Sequence, residues 1–388
     1  MLLWPLAVLP TVPMLIVSIE CIAALTDRRT RPSNLPDAPP IAVLVPAHDE
    51  AAGIAKMLIA VKDQLRPCDR LVVVADNCSD ETAAVAMKAG AEVIERDDPD
   101  RRGKGYALAF GRDFLASHAP PAIVIVMDAD TLPEAGAIQH IAAQAWRDQA
   151  ALQGCYLLQA TGNDRIVGIS AFAFWLKNYV RQKGLYRLSG LALLQGSGMA
   201  FPWEVFRRAP LASPSLVEDL QLGADLILSG TKVGFCQRAR FTSGTAEQTG
   251  TRSQRTRWEH GYLSAAPRLS AKLMGAALRG RKGAMALGLD LAVPPLGALV
   301  IVSIVALAAL GAGVAAGAST APLLFLLGCL SAFVLSLGLV WFKWGRSLLP
   351  PAALLGLPGY FAWKLPILMR FFTRRERRWV RTERETSP

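Results

Sequence analysis

Residues 1–25, MLLWPLAVLPTVPMLIVSIECIAAL, carry a single charged side chain, Glu20. A stretch of that length and composition crosses a bilayer only as a helix, because hydrocarbon offers no partner to free backbone N–H and C=O groups. A cleaved leader starts basic and ends in small residues. Here no Lys or Arg precedes Arg28, and the basic run DRRTR follows at 27–31. The segment reads as an uncleaved anchor with its N-terminus outside and the cations behind it on the cytoplasmic side.

The other end of the chain has the same character. Residues 284–310 and 321–342 are apolar enough to span, whereas 348–370 holds four prolines and a lysine and reads as a re-entrant or interfacial segment. Three crossings leave the basic tail after 370 on the cytoplasmic side, and a fourth would not. The stretch SAFAFWLKNYVRQKGLYR at 170–187 mixes aromatics with cations; it reads either as a helix lying flat on the membrane or as an ordinary surface helix. The net charge is +11, and much of the excess sits beside apolar segments, in DRRTR, in RGRKG at 279–283 and in RRERRWVRTER at 374–384. That placement favours an anionic lipid surface over nucleic acid. The six cysteines show no C-x-x-C pair, which argues against a zinc site or a disulfide framework.

Between the apolar ends the pattern changes. IAVLVP (41–46), RLVVVAD (70–76), AEVIE (91–95) and AIVIVMDAD (122–130) are short β-rich runs, with helix-like stretches at 50–65, 79–90 and 104–117 between them. Strands alternating with helices predict an α/β fold with a parallel sheet, whose ligands bind beyond the carboxyl ends of the strands. Three of the four runs end there in polar groups: PAHDE, ADNCSDE and DAD.

The chemistry-bearing positions lie at those ends. Asp128 and Asp130 follow a buried run and flank one residue, so they share a face. Two such carboxylates repel unless a cation joins them, and hard oxygen ligands suit Mg2+ or Mn2+. Asp76 ends the second run, with Ser79 as the expected N-cap of the next helix. Glu50, after the first run, is either a helix-start residue or a ligand to a base or ribose. Lys104 lies between two glycines at a helix start, where backbone amides and an ammonium meet a phosphate. QGSGMAF at 195–201 reads as a small polar loop. Glu218 and Asp219 open a helix, as capping charge or with one of them as a general base. Gln254, Arg257 and Trp258 stand in SQRTRWEHG at 253–261, read as a polar loop that clamps a diphosphate and stacks a sugar or base, or as a juxtamembrane helix with a basic face.

In order, the chain shows Asp76, D-x-D, Glu-Asp and Q-x-x-R-W, then apolar helices. This resembles the membrane-anchored family 2 inverting glycosyltransferases of GT-A (Rossmann-like) fold, related to cellulose, chitin and hyaluronan synthases and to ceramide glucosyltransferase. The resemblance implies an anchor over 1–26, a cytoplasmic GT-A domain with interfacial helices over 38–275, transmembrane and interfacial helices over 283–372 and a basic cytoplasmic tail over 373–388. It implies that Ala47, Glu50 and Asp76 hold the nucleoside of a sugar nucleotide, UDP-linked by resemblance alone. Asp128 and Asp130 would hold the nucleotide and the Mg2+ or Mn2+ on its diphosphate, with Asp130 as the metal ligand, and Gln254, Arg257 and Trp258 would bind the diphosphate beside the phosphate site read at Lys104. Asp219 would be the general base beside Glu218, and Gly196, Ser197, Gly198 and Trp258 would line the acceptor path.

Export-coupled polysaccharide synthases usually carry TED where this chain has VED, and more membrane helices. The expectation is therefore transfer of one sugar to a lipid or lipid-linked oligosaccharide at the cytoplasmic face of the inner membrane, in exopolysaccharide or glycolipid synthesis. The alternative is a processive synthase that completes its channel by oligomerising or with a partner. A dead scaffold does not explain why Asp130, Asp219, Arg257 and Trp258 all stand. A transporter needs more intramembrane charge than Glu20 and Asp290, both near segment ends.

Overall fold

The structure is a computed structural model that describes residues 3–26, 39–159, 164–213, 215–244 and 248–373, the side chains of 248–253 excepted. The basic runs at 27–31 and 374–384 lie outside the described residues. The chain forms two compact units. One holds residues 39–159 and 191–261; the other holds 3–26, 164–190 and 262–373. The continuous domain expected over 38–275 thus contributes 164–190 and 262–275 to the second unit.

The first unit is built on one mixed sheet. Its strands are β1 (Ile41–Ala47), β2 (Arg70–Asp76), β3 (Glu92–Arg96), β4 (Ile123–Val126), β5 (Thr131–Pro133), β6 (Ala151–Gln159), β7 (Met199–Pro202) and β8 (Val233–Gly244), in the order β3-β2-β1-β4-β7-β6-β8-β5. β1, β2, β3 and β4 run parallel, and β7 enters antiparallel between β4 and β6. The runs that form β1, β2 and β4 are buried on both faces, which is why their sequences are continuously apolar. The expected run to 130 is shorter in the structure: β4 stops at Val126, and Asp128 to Asp130 form a turn into β5. Residues 199–201 of the expected loop fall in strand β7, with Met199 paired to Val126 at the carboxyl end of β4. The 195–198 loop that precedes β7 is therefore delivered to the D-x-D turn.

Helices connect the strands. In chain order, counting both units, they are α1 (Trp4–Leu25), α2 (Ile54–Lys62), α3 (Thr82–Lys88), α4 (Lys104–Ser117), α5 (Ala137–Asp148), α6 (Arg165–Trp175), α7 (Gln182–Ser189), α8 (Trp203–Arg208), α9 (Glu218–Leu228), α10 (Gln248–Leu278), α11 (Ala284–Ala292), α12 (Leu296–Ala315), α13 (Ala321–Val340) and α14 (Leu357–Thr373). The start of α3 differs from expectation. Asp80, not Ser79, serves it, accepting the Thr82 N–H at 2.9 Å, while the Ser79 hydroxyl donates to Asp49. The stretch SQRTRWEHG is helical and lies inside α10, not in a polar loop.

In the second unit, α1 and α13 lie side by side and parallel. Trp4 meets Phe325 near their N-terminal ends, with ring centroids 5.6 Å apart, and Lys343 Nζ donates to the Leu25 carbonyl at 3.0 Å near their C-terminal ends. α12 runs the other way, with Gly313 beside Leu3. The apolar stretch expected as one span over 284–310 breaks at Pro294–Pro295 into α11 and α12, because proline removes the amide donor a helix interior needs. Among the described residues, four helices are long and apolar enough to cross a membrane: Trp4–Leu25, Leu296–Ala315, Ala321–Gly345 and Pro351–Thr373.

The 170–187 stretch is not an ordinary surface helix. With a π-helical turn at Leu176–Arg181 between α6 and α7, it is largely buried and packs on α1 through Gly184, where a Cβ would lie 2.7 Å from the Glu20 carbonyl carbon. Arg181 bonds Glu20 at 2.6 Å and also bonds Asp290. All three side chains are buried, so the two acidic groups near the segment ends share one guanidinium.

Candidate active site

At the carboxyl end of β2, Asp76 is buried and receives Arg96 Nη1 at 2.6 Å and Asn77 Nδ2 at 2.9 Å on Oδ1. Arg96 stands directly across the parallel ladder from Asp76 and lies over the Tyr106 ring at 5.8 Å. No local pattern in the sequence marks Arg96 as that partner. Ala47 ends β1 next to Ala75 of β2. Glu50 follows at the turn into α2, its backbone N–H held by Thr82 Oγ1 at 2.8 Å. His48 Nδ1 lies 2.7 Å from the Asp76 carbonyl. Ala47, Glu50 and Asp76 therefore gather at the ends of two adjacent strands.

The second cluster centres on Lys104. Its ammonium is bonded to Asp128 and donates to the Gly196 carbonyl at 2.6 Å. Burial by itself lowers the pKa of this ammonium; the carboxylates of Asp128, Glu218 and Asp219 outweigh it and hold the group above its ordinary value. Gly105, the next residue, lets the chain at 211–213 cross the start of α4, since a Cβ there would sit 3.0 Å from the Ser213 carbonyl oxygen. That crossing brings the start of α9 towards Lys104. Gly196 has φ +92° and faces both groups: a Cβ on it would lie 3.3 Å from Asp219 Oδ2 and 3.6 Å from Lys104 Nζ. Burial, then the neighbouring Asp219 charge, pushes the Glu218 carboxyl up to about 7, while Lys104 opposes the rise.

Ser197 is held differently from Gly196. Its hydroxyl accepts the Asp128 N–H at 3.0 Å and donates to Thr131 Oγ1 at 3.0 Å, and the residue is fully buried. Thr131 continues to Ser243 at 3.0 Å, and Ser243 to the Tyr156 hydroxyl at 3.2 Å. Burial, with Asp130 and Asp128 nearby, holds the Tyr156 phenol well above its usual range, so it keeps its proton. The Gly198 carbonyl accepts the Gly154 N–H at 2.7 Å. Of the three loop residues expected on an acceptor path, Gly196 is the one aimed at Lys104 and Asp219, while the Ser197 side chain and the Gly198 carbonyl are turned into the sheet. This polar chain escaped the sequence reading because its members come from four separate segments.

Gln254, Arg257, Trp258 and Gly261 recur on α10 at the three- and four-residue spacings that share one helix face. Gly261 seats that face on the segment leading into Glu218 and Asp219, where a Cβ would lie 2.9 Å from Val217 Cγ1. Arg255 packs over the Trp258 ring at 5.4 Å. The Q-x-x-R-W face is thus directed towards the start of α9 by helical periodicity.

Asp128 and Asp130 lie part-exposed in one turn, a set of hard carboxylate oxygens that fits a divalent cation. Asp49, Cys78 and Asp80 form a second group whose ligand atoms lie within 4.8 Å of one another. The Asp49 carboxylate there already accepts the backbone N–H and hydroxyl of Ser79.

Residues 39–261 match the model of the glycosyltransferase like family 2. A probable glycosyltransferase of Bacillus subtilis, YdaM, is 26% identical over 245 residues, 59% of this chain and 56% of that protein. The chain therefore spans little more than half the length of that relative. Among solved structures, a mannosyltransferase from Pyrobaculum calidifontis, determined with GDP-mannose and Mn2+, superposes with a TM-score of 0.60 at 17% identity, covering 96% of this chain and 100% of that one. The likeness is one of fold, and it places the mixed sheet in the GT-A class.

Proposed function

The chain belongs to glycosyltransferase family 2, and on that premise we propose that it moves one sugar, with inversion, from a nucleotide diphosphate sugar to a lipid or lipid-linked oligosaccharide at the cytoplasmic face of a membrane. The observation that carries this reading is the convergence of Lys104, Asp128 and Asp219 on Gly196. A cation, a ligand carboxylate and a base candidate meet there.

Each group has a task in the reaction. Asp219 takes the proton of the acceptor hydroxyl as its oxygen bonds to the anomeric carbon and the bond from that carbon to the diphosphate oxygen breaks. One carboxylate suffices for a single inverting displacement. Glu218, its carboxyl pushed up to about 7 by burial and then by the Asp219 charge, stands beside that base. Lys104, Gln254 and Arg257 meet the charge that develops on the leaving diphosphate. Asp128 and Asp130 would hold Mg2+ or Mn2+, which when bound neutralises that same charge. Asp76, with Ala47 and Glu50, lines the nucleoside end, where Arg96 fixes the Asp76 carboxylate. Trp258 shapes the acceptor end.

The membrane side of the reading is supported by charge. The cations Arg187 and Lys343 both bond the C-terminal end of α1. Residues 3–19 and 311–325, at the opposite ends of α1, α12 and α13, hold no charged side chain. Positive residues stay on the cytoplasmic side, and the chain leaves α1 for the catalytic unit at that basic end. Lys364, in the middle of α14, lies beside Gly297 at the first turn of α12. A level near the rim favours an interfacial course for 351–373.

The test is nucleotide release from UDP- and GDP-sugars by detergent-purified protein with Mg2+ or Mn2+. Metal-dependent release that is lost in Asp219→Asn supports the reading. Release that survives the substitution removes Asp219 as the base.

A further inference from the structure

The Gln153 side chain is wholly inaccessible, inside β6, and neither the D-x-D, the Glu-Asp nor the Q-x-x-R-W pattern includes it. Its amide nevertheless reaches the site loop on both sides of one residue. Oε1 accepts the Gln195 N–H at 2.8 Å, and Nε2 donates to the Ser197 carbonyl at 2.8 Å. Between those contacts stands Gly196, whose carbonyl holds Lys104. Nε2 also donates to the Gly154 carbonyl at 2.9 Å, which ties the amide to its own strand.

We propose that Gln153 is a positioning residue for sugar transfer: it clamps the backbone on either side of Gly196, so that the Gly196 carbonyl fixes Lys104 between Asp128 and Asp219. The chemistry selects an amide. Only a side chain that accepts at one atom and donates at the other satisfies an N–H and a C=O two residues apart. Gly196, at φ +92°, has the conformational freedom of glycine and nothing of its own to lock it. The lock comes from Gln153 below and from Ser197, whose hydroxyl holds the D-x-D turn. Loop and turn thus share one buried anchor, and a small displacement of the loop moves the ammonium relative to both carboxylates.

This inference rests on the functional reading above for its kinetic consequence but not for its structural one, and the experiment separates them. Gln153→Met keeps the length and apolar stem and removes both bonds. Its kcat should fall about 10²-fold, the scale of a misplacement near 1 Å, with donor KM little changed. Amide hydrogen exchange over 193–200, measured without nucleotide, should rise sharply in the same variant. In the wild type the Gln195 amide should exchange slowly, and Gln153→Glu, which keeps the acceptor arm alone, should preserve that protection while still losing kcat.

An unchanged kcat in Gln153→Met, or a Gln195 amide that exchanges freely in the wild type, would overturn the proposal. A fall in thermal stability with kcat and KM intact would do the same, by reducing Gln153 to a core residue. Should the wild type release no nucleotide from any donor, the functional reading fails, and the exchange data alone decide whether Gln153 holds the loop.

Discussion

Lys104 Nζ and the Gly196 carbonyl oxygen are 92 residues apart in the chain and 2.6 Å apart in space. The same ammonium is bonded to Asp128. One cation therefore ties the start of α4, which follows β3, to the D-x-D turn after β4 and to the loop before β7.

Glycine at 196 follows from this arrangement. Gly196→Ala puts a methyl group 3.3 Å from Asp219 Oδ2 in a left-handed conformation, at a cost of about 1–3 kcal/mol. Transfer should drop by more than ten-fold while the melting temperature moves by a few degrees, each consistent with a cost of that size. Parallel assays of nucleotide release and thermal unfolding check both.

Asp130→Ala should remove metal-dependent donor binding and leave the fold intact, since Asp130 is part-exposed in a turn. Titration calorimetry with a UDP- or GDP-sugar, with Mn2+ and with chelator, measures it. Equal affinity in the two conditions for the wild type, or an unaltered metal dependence in the variant, contradicts the assignment.

Glu218 sets a pH dependence with a definite sign. Its carboxyl stands at about 7 in the folded chain against an ordinary 4.5, first because of burial and second because of Asp219. Between those values the folded protein holds a proton that the unfolded chain has released, so the stability contribution falls as pH rises through the window. Melting temperature should decline from pH 5 to 7, and Glu218→Gln should flatten that decline. A profile identical in both proteins would show that Glu218 ionises as an ordinary glutamate.

The buried ion triad gives a stability prediction in the second unit. Arg181→Leu leaves Glu20 and Asp290 buried without the cation that joins them. Removing one partner of such a group costs about 3–5 kcal/mol. Detergent-solubilised protein should show a lower melting temperature, partly restored when Glu20→Gln and Asp290→Asn are added to it.

How far the sequence reaches is clear from single residues. β1, β2 and β4 are legible because strands buried on both faces must be apolar throughout, and Asp76, Asp128 and Asp130 then stand out at their ends. β6 hides because Gln153 and Gly154 interrupt it, and β8 because its pairing with β6 jumps from Cys236 to Arg240 across an exposed Arg238. β7 hides behind the glycines of the loop before it. The start of α3 went to Ser79 by proximity, whereas Asp80 has the geometry. Arg96, Gln153 and Arg181 share one reason for escaping notice: each acts on residues 20 or more positions away, and no local period or spacing encodes such a pairing.

The central claim is single-sugar transfer to a membrane acceptor. The most direct measurement incubates the detergent-purified protein with metal, a panel of UDP- and GDP-sugars and a membrane lipid extract, and sizes the product by mass. A lipid product larger by one sugar, with one nucleoside diphosphate released for each, is the predicted result. A long polymer would contradict it and make the chain a processive synthase.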